Sequence, residues 1–208
     1  MNPKSIQIRE AKESDFDDVM KIEKEAFGQE EEAELVSQLL EDKSAEPVIS
    51  LLAFKDNEAV GHILFTRATF EANERSPSVS PSIAPSNAPS NAPSTAPSIP
   101  QSIYILAPLA VKPEYQRQGI GGMLINAGLK KLKEIGVEMV FVLGHMDYYP
   151  RYGFIPDAGR LGFATPYPIP DEHADAWMVQ ALTSEGLSKV KGKVVCADAL
   201  NKPEYWTE

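Results

Sequence analysis

Three glycines fall within four positions, Gly119, Gly121 and Gly122, in the stretch Leu109–Met123, which reads LAVKPEYQRQGIGGM. An apolar run leads into the stretch and a helical pattern leaves it. Glycine carries no Cβ, so a ligand can come close to the backbone there. The first amides of a helix have no partner within the helix and lie at the positive end of its dipole. Together these features suit an anion such as a pyrophosphate. Arg117 and Gln118 add side-chain donors beside the turn. The spacing is neither the GxGxxG of a dinucleotide fold nor the Lys-Ser/Thr of a P-loop. Glycines at a helix start also serve close packing alone, and the residues by themselves leave both readings open. The three histidines, His62, His145 and His173, are scattered and Cys196 is the single cysteine. No metal cluster and no internal disulfide is expected from that spacing.

The elements that must hold this turn follow from periodicity. Ser14 precedes Phe16, Val19, Ile22, Ala26 and Phe27, which recur at helical spacing, and Ser14 with Asp17 resembles a capping box. Ala33, Leu35, Val36, Leu39 and Leu40 predict a second helix with acidic residues at its start. Val48–Lys55 and Ala59–Thr69 read as two strands joined by the turn Asp56-Asn57-Glu58. Ile103–Val111 is a short apolar strand. A helix from Arg117 or Gln118 to Ile135 turns Ile120, Met123, Leu124, Ala127, Leu132 and Ile135 inward and stops at Gly136. Val137–Leu143 reads as a buried strand. The order predicts a mixed α/β (α+β) fold, with helices around one sheet.

The chain has 208 residues, which suits one domain. Its 20 Lys plus Arg against 30 Asp plus Glu give a formal charge of −10, which argues against coating nucleic acid or an anionic membrane. The N-terminus shows no signal peptide and no apolar run is long enough for a span, so the expected location is cytoplasmic. Seven of the 17 prolines lie between Ser76 and Pro100, six of them at a period of four and each of those six followed by serine. Proline removes the amide that helix and sheet need and pushes its predecessor to extended conformations. Residues 76–100 read as a solvated low-complexity insertion in a hairpin loop. It is either a tolerated insertion, or a site of protein interaction or modification. Because nothing in the turn needs it, activity is expected to survive its deletion.

The string LAVKPEYQRQGIGGMLI resembles the acetyl-CoA motif of the GNAT superfamily of N-acetyltransferases, with Gln116, Gly119 and Gly121 at its core. Downstream, the segment Gly144–Phe154, GHMDYYPRYGF, is similar to a subgroup of that family. The resemblance covers nearly all of the chain outside the proline tract. It implies a mostly antiparallel sheet with a splayed strand pair as the acetyl-CoA cleft. It implies that Leu109, Ala110 and Val111 lie beside pantetheine and that Gln116, Arg117, Gln118, Gly119, Ile120, Gly121 and Gly122 surround the pyrophosphate. It gives Tyr149, five residues before Phe154, the role of protonating the departing CoA thiolate. A thiol near pKa 8.5 and a phenol near pKa 10 are close enough for that transfer. Many family members carry Asn just after the penultimate strand, where this chain has Gly144-His145.

Direct attack on the thioester needs a neutral amine, hence a proton acceptor. His145 has the best position, while His62 and Glu25 read as structural; a water relay serves equally. The resemblance therefore implies acetyl-CoA as cosubstrate, a small-molecule or peptide amine as acceptor, and no metal. It leaves a homodimer open. The rival expectation is a non-catalytic acyl-CoA sensor whose Pro/Ser tract recruits a partner. The acceptor itself is not written in these residues; the acidic balance points weakly to cationic amines.

Overall fold

A computed structural model describes residues 6–71 and 102–206. The Pro/Ser tract, 76–100, lies outside the described residues. Strand β1 (Gln7–Glu10) is followed by helices α1 (Phe16–Phe27) and α2 (Glu31–Glu41). The long strands β2 (Ile49–Lys55), β3 (Glu58–Phe70) and β4 (Ile103–Val111) come next, then helix α3 (Ile120–Glu134) and β5 (Met139–Leu143). The C-terminal part adds β6 (Phe163–Ala164), β7 (Trp177–Ala181), the short helix α4 (Gly186–Lys189) and β8 (Gly192–Val195). These make an open, mostly antiparallel sheet of eight strands, with the order β1-β2-β3-β4-β5-β7 along its main path. β8 joins the end of β3 and pairs with β6.

Apolar side chains on the two sides of the sheet form two cores. On one side Val19, Ile22, Val36 and Leu39 of α1 and α2 meet Leu52, Leu64, Ile105 and Phe141. On the other, Ile120, Leu124, Ile125 and Leu132 of α3 meet Leu51, Ile63, Phe65 and Val140. That alternation along β2 and β3 is the period-two pattern of a sheet buried on both faces.

Two features prepare the site. In the β3–β4 ladder Ile63 faces Leu109 but Phe65 faces Leu106, so β4 carries an extra residue at Ala107-Pro108. A bulge is one of the few places where a strand tolerates a residue without an amide. Secondly, β4 and β5 run parallel and pair at Ile103–Met139, Tyr104–Val140 and Ile105–Phe141 only. Beyond Ile105, β4 stays with β3 as far as Val111–Gly61, and β5 stays with β7 as far as Leu143–Trp177. Each strand keeps its outer neighbour, so the pair opens like a V.

Several sequence expectations are corrected. The Ser14–Asp17 capping box does not form. Asp15 accepts from the Lys12 amide at 2.7 Å and from the two terminal Arg9 nitrogens, Nη1 and Nη2, at 2.6 and 2.9 Å. A carboxylate one residue along meets both the amide and a guanidinium, which a serine at 14 cannot. Met123 and Ile135, expected inward, are 40% and 55% exposed. The buried line of α3 runs through Ile120, Leu124, Gly128 and Leu132, and Met123 sits about 100° round the helix from Leu124. β5 starts at Met139 rather than Val137, because the Val137 amide closes the end of α3 on the Leu132 carbonyl at 3.0 Å.

Candidate active site

The V between β4 and β5 opens into a cleft of about 1090 Å³. Drug-sized pockets fall within about 300–1,000 Å³, so this one suits a long ligand. Along its β4 wall lie Ile105–Leu109 and Val111. From Leu106 on, no strand of the described residues takes the β5-side edge of β4. Ligand groups can therefore pair with that edge as a strand would.

At the C-terminal end of β4 the chain turns into α3. Arg117 and Gly119 both have positive φ, 59° and 83°. Such left-handed positions gather successive amides into an anion-binding concavity. At Gly119 that conformation carries no steric cost, whereas Arg117 holds it as a non-glycine residue. No side chain caps α3, so the amides of Ile120, Gly121 and Gly122 face the turn unclaimed by a cap. Gln116 is tied to this geometry: its Nε2 donates to the Val111 carbonyl at 3.0 Å.

The opposite wall comes from Gly144–Tyr152. The Tyr148 and Tyr149 amides donate to the His145 carbonyl at 3.0 and 3.4 Å, which turns the chain back over α3. The rings of Tyr148, Tyr149, Tyr152 and Phe154 pack edge to face, with centroids 5.3–5.7 Å apart. A Cβ at Gly121 would lie 2.4 Å from Tyr148 Oη, and one at Gly122 would lie 2.3 Å from Tyr152 Oη. The two glycines thus let the aromatic turn sit on the start of α3. Gly144 gives Tyr149 the same room, since a Cβ there would meet Cε2 of its ring at 2.4 Å. Tyr149 is 8% exposed and lines the cleft. Burial alone raises its phenol above the ordinary range, so it stays protonated and can donate. The Tyr148 phenol is raised by burial first and then by its hydrogen bond with Tyr152.

The structure brings Leu109, Val111, Gln116, Arg117, Gly119, Ile120, Gly121, His145 and Tyr149 to the walls of this one cleft. Ala110 is 1% exposed and its side chain enters the α1/α2 core instead. Gln118 turns outward, accepting from Lys55 Nζ at 2.9 Å and donating to the Glu114 carbonyl at 3.1 Å. Gly122 lies under Tyr152. His145 is exposed at the rim. His62 and Glu25 are elsewhere. His62 is fully buried, its Nδ1 2.5 Å from Glu23 Oε1 and its Nε2 2.9 Å from Ser50 Oγ. Glu25 lies 3.7 Å from Lys112 Nζ, which Glu58 holds at 2.7 Å. Sequence reasoning missed a third wall. The α1–α2 elbow contributes Phe27, Gln29, Glu31, Glu32 and Leu35, and the C-terminal segment contributes Leu200, Glu204, Tyr205 and Trp206. The signals were faint: an apolar Phe27 at a helix end before Gly28, and two aromatic residues in the final turn.

The acetyltransferase (GNAT) family model matches residues 16–154, which span both helices, the V and the aromatic turn. The chain belongs to the GNAT family of acetyltransferases. It is 47% identical over 185 residues to YjhQ of Escherichia coli strain K12, an uncharacterized N-acetyltransferase, covering 89% of this chain and 88% of that one. Among solved structures, the GNAT fold here resembles YhbS of Escherichia coli in complex with CoA, with a TM-score of 0.77 and 24% identity. That match covers 97% of this chain and 95% of the other. A GNAT family acetyltransferase of Brucella melitensis in complex with acetyl-CoA matches with a TM-score of 0.65 and 22% identity, over 95% of this chain and 99% of the other. At these identities the two structures speak for the fold. Among the described residues of this GNAT chain, no group of three His, Cys, Asp or Glu side chains is placed to hold a metal ion. None of its described helices is long and apolar enough to cross a membrane.

Proposed function

We propose that this chain transfers the acetyl group of acetyl-CoA directly to a primary amine. The observation that carries the reading is the convergence, in one cleft, of an unpaired strand edge, an uncapped helix start and a buried phenol. The residues fit the cosubstrate part by part. The free edge of β4 from Leu106 to Val111 suits the amides of a pantetheine arm. The amides at Gly119–Gly122, with Arg117 beside them, suit the pyrophosphate. A GNAT family acetyltransferase of Brucella melitensis that shares this fold is in complex with acetyl-CoA, which supports that cosubstrate.

Acetyl-CoA supplies a thioester carbonyl already activated toward an amine. The protein's own contribution is placement and proton handling. Backbone amide near Val111 on the open edge polarises the carbonyl where negative charge develops. The amine nitrogen bonds to the carbonyl carbon, the carbon–sulfur bond breaks, and the electron pair leaves on sulfur. Tyr149 Oη gives its proton to that sulfur. The proton lost by the amine passes to solvent at the rim, where His145 stands, and solvent restores the phenol.

The test is release of free CoA thiol, followed with a thiol-reactive chromophore across amines, amino acids and peptide N-termini. Release that depends on one class of amine supports the reading. No release with any amine, with acetyl-CoA bound, would favour a binding protein instead.

A further inference from the structure

The turn from β4 into α3 is tied to the β2–β3 hairpin by three of its own side chains. Lys112 is a lysine only 3% exposed. Its Nζ donates to Glu58 Oε1 at 2.7 Å, with Glu25 Oε2 3.7 Å away. The other Glu58 oxygen, Oε2, accepts from Tyr115 Oη at 2.9 Å. Lys55 completes the set: its Nζ donates to Gln118 Oε1 at 2.9 Å and stands 5.2 Å from the centre of the Tyr115 ring. Lys55 and Glu58 are direct cross-strand partners at the hairpin tip. Between them Asp56 and Asn57 both have positive φ, 54° and 68°, which makes a tight two-residue turn. The hairpin therefore offers two fixed, opposite charges to one face of the turn.

The tied span, Lys112 to Gln118, brackets Arg117, which holds a left-handed backbone at φ 59° without being glycine. Such a conformation costs free energy and persists only where its surroundings over-determine it. Here the bonds of Lys112 and Tyr115 fix the chain before Arg117, and that of Gln118 fixes it just after. A buried ammonium is itself costly unless it is paired, so Lys112 has one favourable seat, on Glu58. Lys112 first, and then Tyr115, hold the Glu58 carboxyl below its ordinary range, which keeps it charged. Glu58 and Lys112 do not line the cleft, whereas Tyr115, Gln116, Arg117 and Gly119 do. Whatever Glu58 does for a ligand in the cleft, it does through the turn.

We infer that Glu58 is a positioning residue for the cosubstrate: by holding Lys112 and Tyr115 it keeps Arg117 in its left-handed conformation and the amides that follow aimed at the pyrophosphate. It thereby sets the affinity for the nucleotide end of acetyl-CoA without touching it. This rests on the reading of the cleft as an acetyl-CoA site. The thioester end lies along the free edge of β4, which β3 pairing holds independently of the clamp. Loss of Glu58 should accordingly be felt at one end of the ligand only.

The test titrates the full chain with two probes, acetyl-CoA and S-acetylpantetheine, which has the same thioester and arm but no pyrophosphate. Glu58→Ala is expected to weaken acetyl-CoA about tenfold or more and to leave S-acetylpantetheine within about twofold of the parent. Glu58→Gln keeps an acceptor for Lys112 and is expected to restore part of the loss. Glu58→Ala also leaves the Lys112 ammonium without its closest partner, which burdens the fold. The double variant Glu58→Ala/Lys112→Met removes that burden, and should recover thermal stability while keeping the acetyl-CoA loss. An equal loss for the two probes in Glu58→Ala overturns the inference, because Glu58 would then serve the whole cleft or the fold. So does acetyl-CoA affinity within about threefold of the parent, or a double variant that binds acetyl-CoA as the parent does. These outcomes leave the acetyl-CoA reading standing. A parent chain that binds neither probe overturns that reading, and the inference with it.

Discussion

Replacing Tyr149 with phenylalanine removes one oxygen and little else. The ring keeps its contacts with Tyr148 and Phe154, at centroid distances of 5.3 and 5.7 Å, and its seat over Gly144. Burial is the sole influence on the titration of the phenol, so the change breaks no charged partnership. Stability should therefore stay within about 0.5 kcal/mol of the parent. The rate is a different matter. General acids contribute about 10²- to 10⁴-fold. Two features place this one at the lower end. The leaving thiol has a pKa near 8.5, so it can depart as thiolate. Burial also raises the Tyr149 phenol, which weakens it as an acid. The expected loss in kcat is about 100-fold, or about 2.7 kcal/mol at about 1.36 per tenfold. Acetyl-CoA affinity should change by less than about twofold, because the hydroxyl acts only when charge reaches sulfur. The assay is CoA thiol release under saturating amine, with a parallel titration of acetyl-CoA. A kcat within about threefold of the parent, with the fold intact, would refute the acid role. So would a rate loss matched by an equal loss of acetyl-CoA affinity.

Other perturbations probe the frame. Gly121→Val should displace Tyr148, whose Oη already lies 2.4 Å from a Cβ position, and weaken acetyl-CoA binding by about tenfold or more while thermal unfolding shifts little. Gly128→Leu places side-chain atoms where the Phe65 ring stands, 2.2 Å from a Cβ, and should cost about 1–3 kcal/mol in denaturant unfolding. The Arg9 fork holds the Asp15 carboxyl down to about 2, first by its hydrogen bonds and then with the Lys12 amide. Because the folded value is depressed, the stabilisation is present above about pH 4 and is lost as pH falls toward 2. With Arg9 partly exposed it amounts to about 1 kcal/mol, and Arg9→Met should flatten that acid limb of an unfolding-against-pH curve. Ala68 and Ile103 are direct cross-strand partners, so a short turn in place of residues 76–100 should leave acetyl-CoA turnover unchanged; a folded but inactive deletion would refute this.

The helices and long strands were legible because burial imposes its period on them. Leu51, Leu52, Ile63 and Leu64 alternate between two cores, and Ile120, Leu124 and Leu132 hold one stripe. The turn into α3 was legible because its left-handed backbone at position 119 calls for glycine, which the sequence displays. Other parts left weak traces. β1 is four residues long and mostly exposed, so it carries no period to read. β6 and β8 are similarly short. The α1–α2 elbow was invisible as a wall of the cleft, because Glu31 and Glu32 look like residues placed for a helix dipole. Only the fold brings them to the cleft beside Glu204, more than 170 positions away in the chain. The same holds for Glu23 and His62, 39 residues apart and joined at 2.5 Å.

We propose that the V between β4 and β5 and the uncapped start of α3 together form an acetyl-CoA site. A calorimetric titration of the full chain with acetyl-CoA tests it most directly. Saturable binding of one molecule per chain with a micromolar dissociation constant is expected, weakened in Gly121→Val. A folded chain that takes up no heat at millimolar acetyl-CoA would contradict it.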